Sequence, residues 1–199
     1  MRILIVGGTG TVGKAAATEL GRRHEIVRAG RSSGDLTVDV MDEASVKAMY
    51  GKLGKVDAVI TCVGHVHFGP VATMTPEQFR KGLDDKLMGQ VNLVLLGMNN
   101  VNDNGSFTLT SGILDRDPVR QGANAAAVNG AIGAFARGAA IEMPRGIRIN
   151  AVSPGLLEDS AVKYDGFFPG HEPVSAARVG LAYAKSVEGA ITGQVICVG

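Results

Sequence analysis

Short runs of β-branched and aliphatic residues alternate along the chain with longer segments that have a helical pattern. Most of the short runs are nearly continuous Val, Ile and Leu, which is typical of strands that are covered on both faces. A strand followed by a helix, repeated several times, is the pattern of parallel strands joined by crossover helices. The pattern therefore predicts an α/β fold with a doubly wound sheet.

Seven of the runs are strand candidates and five of the longer segments are helix candidates. The strands are predicted at Arg2–Val6, Glu25–Gly30 and residues 35–39, 58–62, 106–110, 148–152 and 194–198. The helices are predicted at residues 13–23, 42–53, 75–98, 122–143 and 175–186. The third helix has the clearest start, because Thr75 is a favoured N-cap and Pro76 presets the backbone at the first helical position.

The length and continuity of the chain predict one domain over residues 1–199. With 199 residues, 45% of them hydrophobic, the chain is long enough to bury a full core and short enough to need no division. Neither an internal repeat nor a linker interrupts the alternation of strands and helices. The largest irregular stretch, residues 156–173, is rich in Gly, Phe and Pro, and it is predicted to be a lid over a pocket.

The net charge limits the classes of binding partner to expect, and the cysteine content indicates the cellular compartment. Twenty basic and nineteen acidic side chains leave a formal charge of +1, so neither nucleic acid nor an anionic membrane is expected to bind. Cys62 and Cys197 lie far apart without metal-ligand spacing, and both are expected to be small buried side chains, with no metal site. No apolar run reaches the roughly 18 residues of a membrane span, and the chain is predicted to be cytoplasmic.

A glycine-rich turn directly follows the first predicted strand and opens the first predicted helix. Its sequence is Gly-Gly-Thr-Gly-Thr-Val-Gly at residues 7–13. Gly7 permits a tight turn, Gly10 lets the backbone approach a pyrophosphate, and Gly13 allows the helix to pack closely on the strand. The helix N-terminus offers free N–H groups to the anion. In this context the turn predicts a dinucleotide-binding Rossmann fold rather than a glycine turn without a ligand. The predicted contacts are Gly7, Thr9, Gly10, Thr11, Val12 and Gly13.

The end of the second predicted strand indicates which dinucleotide binds. A site for NAD carries an acidic residue there for the ribose hydroxyls, whereas this chain has Arg31 followed by Ser32 and Ser33. A guanidinium beside two hydroxyls suits the 2′-phosphate of NADP(H), so NADP(H) is predicted to bind in preference to NAD(H). The alternative is a solvated surface arginine. Asp35 is interpreted as a turn residue after Gly34.

Four further segments, in the same order and at similar separations, resemble the short-chain dehydrogenase/reductase family. They are Val-Asp-Val at residues 38–40, Cys-Val-Gly at 62–64, the segment 146–155, and Ile-Thr-Gly-Gln at 191–194. The resemblance covers essentially the whole chain. It implies a seven-stranded parallel sheet with the cofactor at the carboxyl ends of the strands, and a homodimer or homotetramer built on the helices at 75–98 and 122–143. It adds Asp39, Val40, Cys62, Val63, Gly64, Pro154, Gly155 and Leu156 to the predicted cofactor contacts.

The resemblance fails at the side chains that carry the family's chemistry. Members of the family reduce a carbonyl with a tyrosine as acid, a lysine four residues later that lowers the tyrosine pKa, a serine and an asparagine. No tyrosine of this chain is followed by a lysine at that spacing. Alignment with the family puts Ala125 at the tyrosine position and Asn129 at the lysine position. Ser111 keeps the serine, and Lys86 stands at the asparagine position.

Lysine and asparagine have therefore exchanged sites. The exchange predicts that Lys86 holds ribose hydroxyls or a substrate anion from the opposite side of the cleft, with Asn129 hydrogen-bonding where the family's lysine lies. Ser111, Lys86 and Asn129 are the candidate catalytic residues, and Lys86 is also a candidate cofactor contact. The alternative is that Lys86 is solvated and Asn129 merely packs on its helix.

The exchange does not restore an acid, and the source of the proton stays open. The candidates are Ser111 through water, Tyr164 of the lid, His65, His67 and the substrate itself. Histidine has the intrinsic pKa best suited to the task. The charged residues 115–117 are interpreted as a solvated cluster beside the substrate.

Two functions are compatible with these residues. One is an oxidoreductase that transfers hydride between NADPH and a small carbonyl or hydroxyl compound with an atypical acid, a reaction type that rests on the fold alone. The other is a non-catalytic NADP(H) binder, a sensor or partner subunit in which the nucleotide orders the lid. A scaffold that has lost nucleotide binding is a third possibility, which the intact glycine turn and Arg31 disfavour. The substrate is not indicated by the sequence.

Overall fold

Alternating side chains of the strands lie on opposite faces of one sheet and are buried there by helices. In the first strand, Leu4 and Val6 belong to one core cluster, whereas Ile3 and Ile5 belong to the other. Because both faces are covered, the strand reads as a continuous aliphatic run. The computed structural model describes residues 1–164 and 166–199.

The sheet has seven parallel strands in the order β3-β2-β1-β4-β5-β6-β7. The strands are β1 Arg2–Val6, β2 Glu25–Gly30, β3 Leu36–Thr37, β4 Val56–Thr61, β5 Val101–Thr110, β6 Arg148–Pro154 and β7 Val195–Val198. The helices are α1 Thr11–Leu20, α2 Glu43–Leu53, α3 Pro76–Gly82, α4 Gly89–Gly97, α5 Ala123–Ala140, α6 Glu158–Ala161 and α7 Ala176–Glu188. The predicted three-layer doubly wound Rossmann fold is confirmed.

The long helix predicted at residues 75–98 is divided into three segments. It begins as predicted, because the Thr75 hydroxyl accepts a hydrogen bond from the Gln78 backbone N–H at 3.3 Å and the Gln78 side chain accepts one from the Thr75 N–H at 3.0 Å. A π-helical segment, Leu83–Met88, then separates α3 from α4. Single π-helical turns inside α-helices are frequent at functional sites, and hydropathy does not reveal them.

Several predicted boundaries are wrong, each for a local reason. The third strand is only Leu36–Thr37, because the Asp35 carboxylate accepts a hydrogen bond from the Arg28 backbone N–H at 2.8 Å and so forms the turn that precedes it. The fifth strand begins at Val101 and not at residue 106, since Val101 already pairs with Val56 of β4 and a register shift follows before Ser106 pairs with Ala58. Cys197 lies in the last strand as predicted, but it is exposed because β7 is an edge strand.

The predicted lid, residues 156–173, contains helical structure that the sequence did not reveal. It includes α6 and a 3₁₀ turn at Val162–Tyr164, both too short to show a hydrophobic period. A bridge between Leu157 and Val174 closes the segment at its base. Asp165, within this stretch, lies outside the described residues.

Candidate active site

Two adjoining cavities open at the carboxyl ends of the strands. The larger has a volume of about 650 Å³ and the smaller one of about 340 Å³, and Gly10, Cys62, Val63 and Gly64 line both. These residues follow β1 and β4, the neighbouring strands at which the strand order reverses. Open α/β sheets bind their ligands at such a reversal. We call the two cavities together the cleft.

The glycine turn forms one wall of the cleft and has the shape that a pyrophosphate requires. Gly7 has a φ of +81°, and its carbonyl oxygen accepts a hydrogen bond from the Gly10 N–H at 3.0 Å. A Cβ at Gly13 would collide with that same carbonyl, whereas one at Gly10 would face mainly open space. Helix α1 begins at Thr11, so the N–H groups of its first turn lack intrahelical acceptors beside the cleft. The turn therefore fits an anionic diphosphate.

The smaller cavity contains the residues that were predicted to select the cofactor. Arg31 and Ser33 line it, and the Ser33 hydroxyl lies 3.0 Å from that of Thr9. The Arg31 side chain is 61% exposed and its Nη2 lies 3.6 Å from Oδ1 of Asp39, a contact loose enough to exchange for a bound anion. Ser32 and Asp39 do not line either cavity, whereas Val38, which the sequence analysis did not select, lines this one together with Val40.

The larger cavity lies between the end of β6 and the lid. Pro154, Gly155 and Leu156, three of the predicted cofactor contacts, line it. Two hydrogen bonds hold this segment: Gly155 N–H to the Val198 carbonyl at 2.6 Å and Val174 N–H to the Leu156 carbonyl at 2.7 Å. The remaining wall is mainly apolar. Its apolar part consists of the rings of Phe68, Tyr164 and Phe168, which we call the aromatic wall, and of Val66, Ile113, Leu114 and Leu157. The polar side chains that also line it are His65, Asp159, Ser160 and Lys163.

The three candidate catalytic residues meet in one hydrogen-bonded group. Lys86 Nζ donates to the backbone carbonyl of Ser111 at 2.9 Å and to Asn129 Oδ1 at 2.7 Å. The Ser111 hydroxyl lies 2.9 Å from the Asn129 carbonyl and 3.1 Å from Asp115 Oδ2, both of which accept its proton. We call Lys86, Ser111, Asn129 and Asp115 the polar cluster. Lys86 and Asn129 thus touch each other, and the alternative of a solvated Lys86 is wrong.

The backbone around the polar cluster holds Lys86 in place. Lys86 belongs to the π-helical segment, and Gly64, with a φ of +102°, packs directly on it. A Cβ at Gly64 would lie 2.6 Å from Lys86 Cβ and even closer to its Cα. Ala125 stands at the position aligned with the family's tyrosine and lines the larger cavity. Its side chain is a methyl group, so no aromatic ring occupies the cavity at this position.

Burial changes the acidity of two groups beside the cleft. Burial lowers the pKa of Lys86 to about 8, although the negative charge of Asp115 acts in the opposite direction. Burial also raises the pKa of the Cys62 thiol to about 11, partly offset by its contacts with Tyr183 and Thr110. Cys62 is therefore a neutral, unreactive thiol, as its interpretation as a packing residue requires.

The other candidate proton donors lie at the rim of the cleft, outside it or in the aromatic wall. His65 is at the rim, with a side chain that is 89% exposed and an Nδ1 that lies 2.8 Å from Asp85 Oδ2. His67 does not line the cleft. Tyr164 belongs to the aromatic wall, where its ring centroid is 6.4 Å from that of Phe68.

The interpretation of residues 115–117 as a solvated cluster is wrong for Asp115. Its side chain is only 13% exposed, and Arg116 donates to its Oδ1 at 3.1 Å and to the Ser153 hydroxyl at 2.6 Å. Asp117 is largely exposed and faces His171. The sequence could not reveal this difference, because Ser153, which lies in β6, is distant along the chain.

A buried glutamine beside the cleft was missed by the sequence analysis. Gln90 in α4 is fully buried, and its Oε1 accepts hydrogen bonds from the Thr110 backbone N–H at 2.8 Å and from the Thr61 hydroxyl. Its Nε2 donates to the Thr110 carbonyl at 2.9 Å. Gln90 thereby connects the carboxyl ends of β4 and β5. Cys62 directly follows β4, and Ser111 directly follows β5.

The grouping of side chains and the character of the helices bear on metal and membrane binding. Among residues 1–164 and 166–199, no three His, Cys, Asp or Glu side chains are grouped so that they could bind a metal ion. Over the same described residues, none of the helices combines the length and apolar character needed to cross a membrane.

Comparisons with known sequences identify relatives of this chain. A family model described as enoyl-(acyl carrier protein) reductase matches residues 11–182. Trihydroxynaphthalene reductase of Colletotrichum orbiculare is 28% identical over 79% of this chain and 65% of that enzyme, so the chain spans just under two thirds of its length. Tetrahydroxynaphthalene reductase of Pyricularia oryzae is 27% identical over 98% of this chain and 87% of that enzyme.

Solved structures show the same fold. The protein lin1944 from Listeria innocua is 52% identical, with a TM-score of 0.98 and complete coverage of both chains. A small-chain dehydrogenase in complex with NADPH is 29% identical, with a TM-score of 0.87 over 100% of this chain and 96% of the other. Its family model matches residues 11–182, and a glycine turn follows the first strand of its doubly wound sheet, so this chain belongs to the short-chain dehydrogenase/reductase family.

Proposed function

We propose that this chain binds NADP(H) in preference to NAD(H) and transfers hydride between it and a small carbonyl or hydroxyl compound. The observation that carries the proposal is the cleft, which has the glycine turn and Arg31 at one end and the polar cluster at the other. A bound nicotinamide supplies the hydride. The residues of the chain bind and orient the reactants and must supply the proton. The NADPH bound to a 29% identical dehydrogenase supports the choice of cofactor.

The walls of the larger cavity favour a largely apolar, flat substrate. The aromatic wall has ring centroids 6.0 to 6.4 Å apart, the spacing at which aromatic rings pack against one another. A mainly apolar lining with few convergent polar groups is typical of a site for a small organic ligand. Two relatives whose names describe reductases of hydroxylated naphthalenes are in keeping with this substrate class.

The experiment that tests the proposal is a calorimetric titration with NADPH and, separately, with NADH. We expect both to bind at the cleft and NADPH to bind more tightly. NADPH consumption with a set of aromatic and aliphatic aldehydes and ketones then tests for turnover. Absence of binding by both nucleotides would contradict the proposal.

Replacing Arg31 by alanine is expected to weaken NADPH binding by about tenfold or more, since a charge-assisted hydrogen bond to the 2′-phosphate contributes about 1.5–3 kcal/mol. NADH lacks that phosphate, so its affinity is expected to change less than about threefold. Arg178→Ala is the matched control, because Arg178 is exposed on α7 and does not line the cleft. An equal loss for both nucleotides would show that Arg31 does not select the cofactor.

A second candidate function is a catalytically inactive NADP(H)-binding sensor or partner subunit. The observation that favours it is Ala125, a buried methyl group at the position aligned with the family's tyrosine. This function predicts tight NADPH binding without turnover of any carbonyl compound. It also predicts that NADPH protects residues 156–173 from proteolysis, because the nucleotide would order the lid.

We also propose that the chain forms a homodimer or homotetramer through α4 and α5. Leu95 of α4 is 59% exposed, and the outer face of α5 carries the small exposed residues Ala127, Ala134 and Gly138. Leu95→Asp is expected to lower the mass measured by light scattering, because a carboxylate would be buried in the interface. Leu181→Asp, the same change at an equally exposed position on α7, is expected to leave the mass unchanged. A wild-type protein that is monomeric would contradict this proposal.

A further inference from the structure

The ammonium group of Lys86 is the only cation of the polar cluster, and two acceptors fix its direction. Lys86 Nζ has three N–H groups, of which two donate to the Ser111 carbonyl and to Asn129 Oδ1. No acceptor for the third N–H is found among the described residues. Because Lys86 lines the larger cavity, that N–H is left for a ligand in the cleft.

The neighbouring hydroxyl of Ser111 is not available in the same way. Ser111 Oγ has one proton, and the Asn129 carbonyl and Asp115 Oδ2 both accept it. Asn129 is an amide and releases no proton at ordinary pH. Within the polar cluster, Lys86 is therefore the group with both a free N–H and a proton to give.

We propose, resting on the reductase function proposed above, that Lys86 is the proton donor of this site. As hydride and its electron pair reach the carbonyl carbon, the C=O π electrons move to oxygen, the Lys86 N–H bond breaks and an O–H bond forms. Lys86 is left as a neutral amine, and the nicotinamide is left oxidised. Water entering the cleft returns the proton to Nζ.

The geometry of the polar cluster suits both protonation states of Lys86. A neutral amine keeps two N–H groups, and the cluster offers two fixed acceptors, the Ser111 carbonyl and Asn129 Oδ1. The hydrogen bonds that orient Nζ are therefore retained after the proton has left. Asn129 is a positioning residue here, and it stands where the family places a lysine.

The electrostatic surroundings make the Lys86 proton easier to release than that of a solvated lysine. Burial lowers its pKa to about 8, which is close to the working pH that favours general acid catalysis. Asp115 keeps the ammonium form populated at neutral pH, and Cys62, whose pKa burial raises to about 11, stays a neutral thiol. The other charged or titratable groups around the larger cavity are His65, Asp159, Lys163 and Tyr164, which line it together with Lys86. Asp85 pairs with His65 at the rim, and Arg116 pairs with Asp115.

Direct titration of Lys86 tests the proposal without any turnover. Protein labelled with ¹³C at the lysine ε carbons is titrated by NMR from neutral to alkaline pH, with and without NADP⁺. The Lys86 signal is assigned by its loss in Lys86→Arg. We expect the Lys86 signal to titrate with a midpoint near its pKa of about 8. A Lys86 midpoint at about 10.4, the value of a lysine side chain in water, would overturn the proposal.

Kinetics of two Lys86 variants and a control extend the test, with the aldehyde or ketone that the wild type reduces fastest. Lys86→Arg keeps a cation but binds its proton too tightly to give it up, and Lys86→Met removes the proton altogether. Both are expected to lower single-turnover rates by at least about 100-fold. Calorimetric NADPH affinity is expected to change less than about threefold in Lys86→Arg. Lys81→Arg, an exposed lysine of α3, is the control and keeps the wild-type rate.

The pH profile and the competing donor separate the remaining outcomes. The wild-type rate of reduction is expected to fall about tenfold per pH unit above the pKa of Lys86, since the ammonium form is lost there. If Lys86→Arg and Lys86→Met both kept the wild-type rate, Lys86 would not be the proton donor, but the proposed reductase function would stand. If only Tyr164→Phe lowered the rate 100-fold, Tyr164 of the lid would be the proton donor, and the proposal for Lys86 would be overturned. Tight NADPH binding without any wild-type turnover would instead refute the reductase function, and the donor with it.

Discussion

Replacing Gly64 by alanine is expected to lower the free energy of unfolding by about 2–6 kcal/mol and to weaken NADPH binding by more than about tenfold. The φ of +102° at this position is strained for any residue with a Cβ. The new methyl group would also collide with the backbone of Lys86 in the π-helical segment. Relief of that collision must displace Lys86 from Asn129, or Gly64 from the edge of both cavities.

Thermal unfolding and a nucleotide titration measure the two effects. For a chain of this length the destabilisation corresponds to a fall in Tm of roughly 5–20 °C. Gly51→Ala is the matched control, since Gly51 lies in α2 with open space around its Cα, and alanine there is expected to stabilise the helix by about 0.5–1 kcal/mol. Wild-type Tm and NADPH affinity in Gly64→Ala would show that the contact with Lys86 yields easily.

Exchange of Gln90 for leucine is expected to destabilise the fold by about 2–5 kcal/mol, because it leaves buried polar groups without partners. Leucine is similar in size to glutamine, so the cavity term is small. The Thr110 N–H and carbonyl and the Thr61 hydroxyl, which Gln90 satisfies together, would then lie unpaired between β4 and β5. Each such group costs about 1–3 kcal/mol.

Urea unfolding measures this loss as a lower midpoint at an unchanged slope. Gln194→Leu makes the same chemical change at an exposed position before β7, and its effect is expected to stay within about 0.5 kcal/mol. A midpoint for Gln90→Leu that equals that of Gln194→Leu would mean that water or a shifted strand end replaces the lost hydrogen bonds.

The strands and the glycine turn could be predicted from sequence because their signals are local. A continuous aliphatic run identifies a strand buried on both faces, and glycines after it identify a turn that other residues cannot form. The π-helical segment was missed, because a change of helix type over six residues leaves the apolar period almost unaltered. Helix α6 and the 3₁₀ turn of the lid were missed because each is too short to show a hydrophobic period.

The candidate site was predicted residue by residue but not as an arrangement. Lys86, Ser111 and Asn129 were each selected by alignment with a family pattern, yet only the fold shows that they touch. Asp115 was interpreted as solvated, because its partner Ser153 lies in β6, 38 residues further along the chain. Gln90 gave no signal at all, because a buried glutamine in an apolar helix is recognised only from the backbone groups it pairs with.

The contact between Lys86 and Asn129 also restricts how this site can change during evolution. Restoring the family's tyrosine at Ala125 and lysine at Asn129 would place a second ammonium beside Nζ of Lys86, where Asn129 Oδ1 now lies 2.7 Å away. Two like charges in a poorly solvated site repel strongly. A lineage could therefore pass between the two arrangements only by exchanging Lys86 as well, and each intermediate would lack either its acid or its charge balance. Two sites that differ only by the exchange of two side chains are thus separated by unfavourable intermediates, which the number of substitutions does not show.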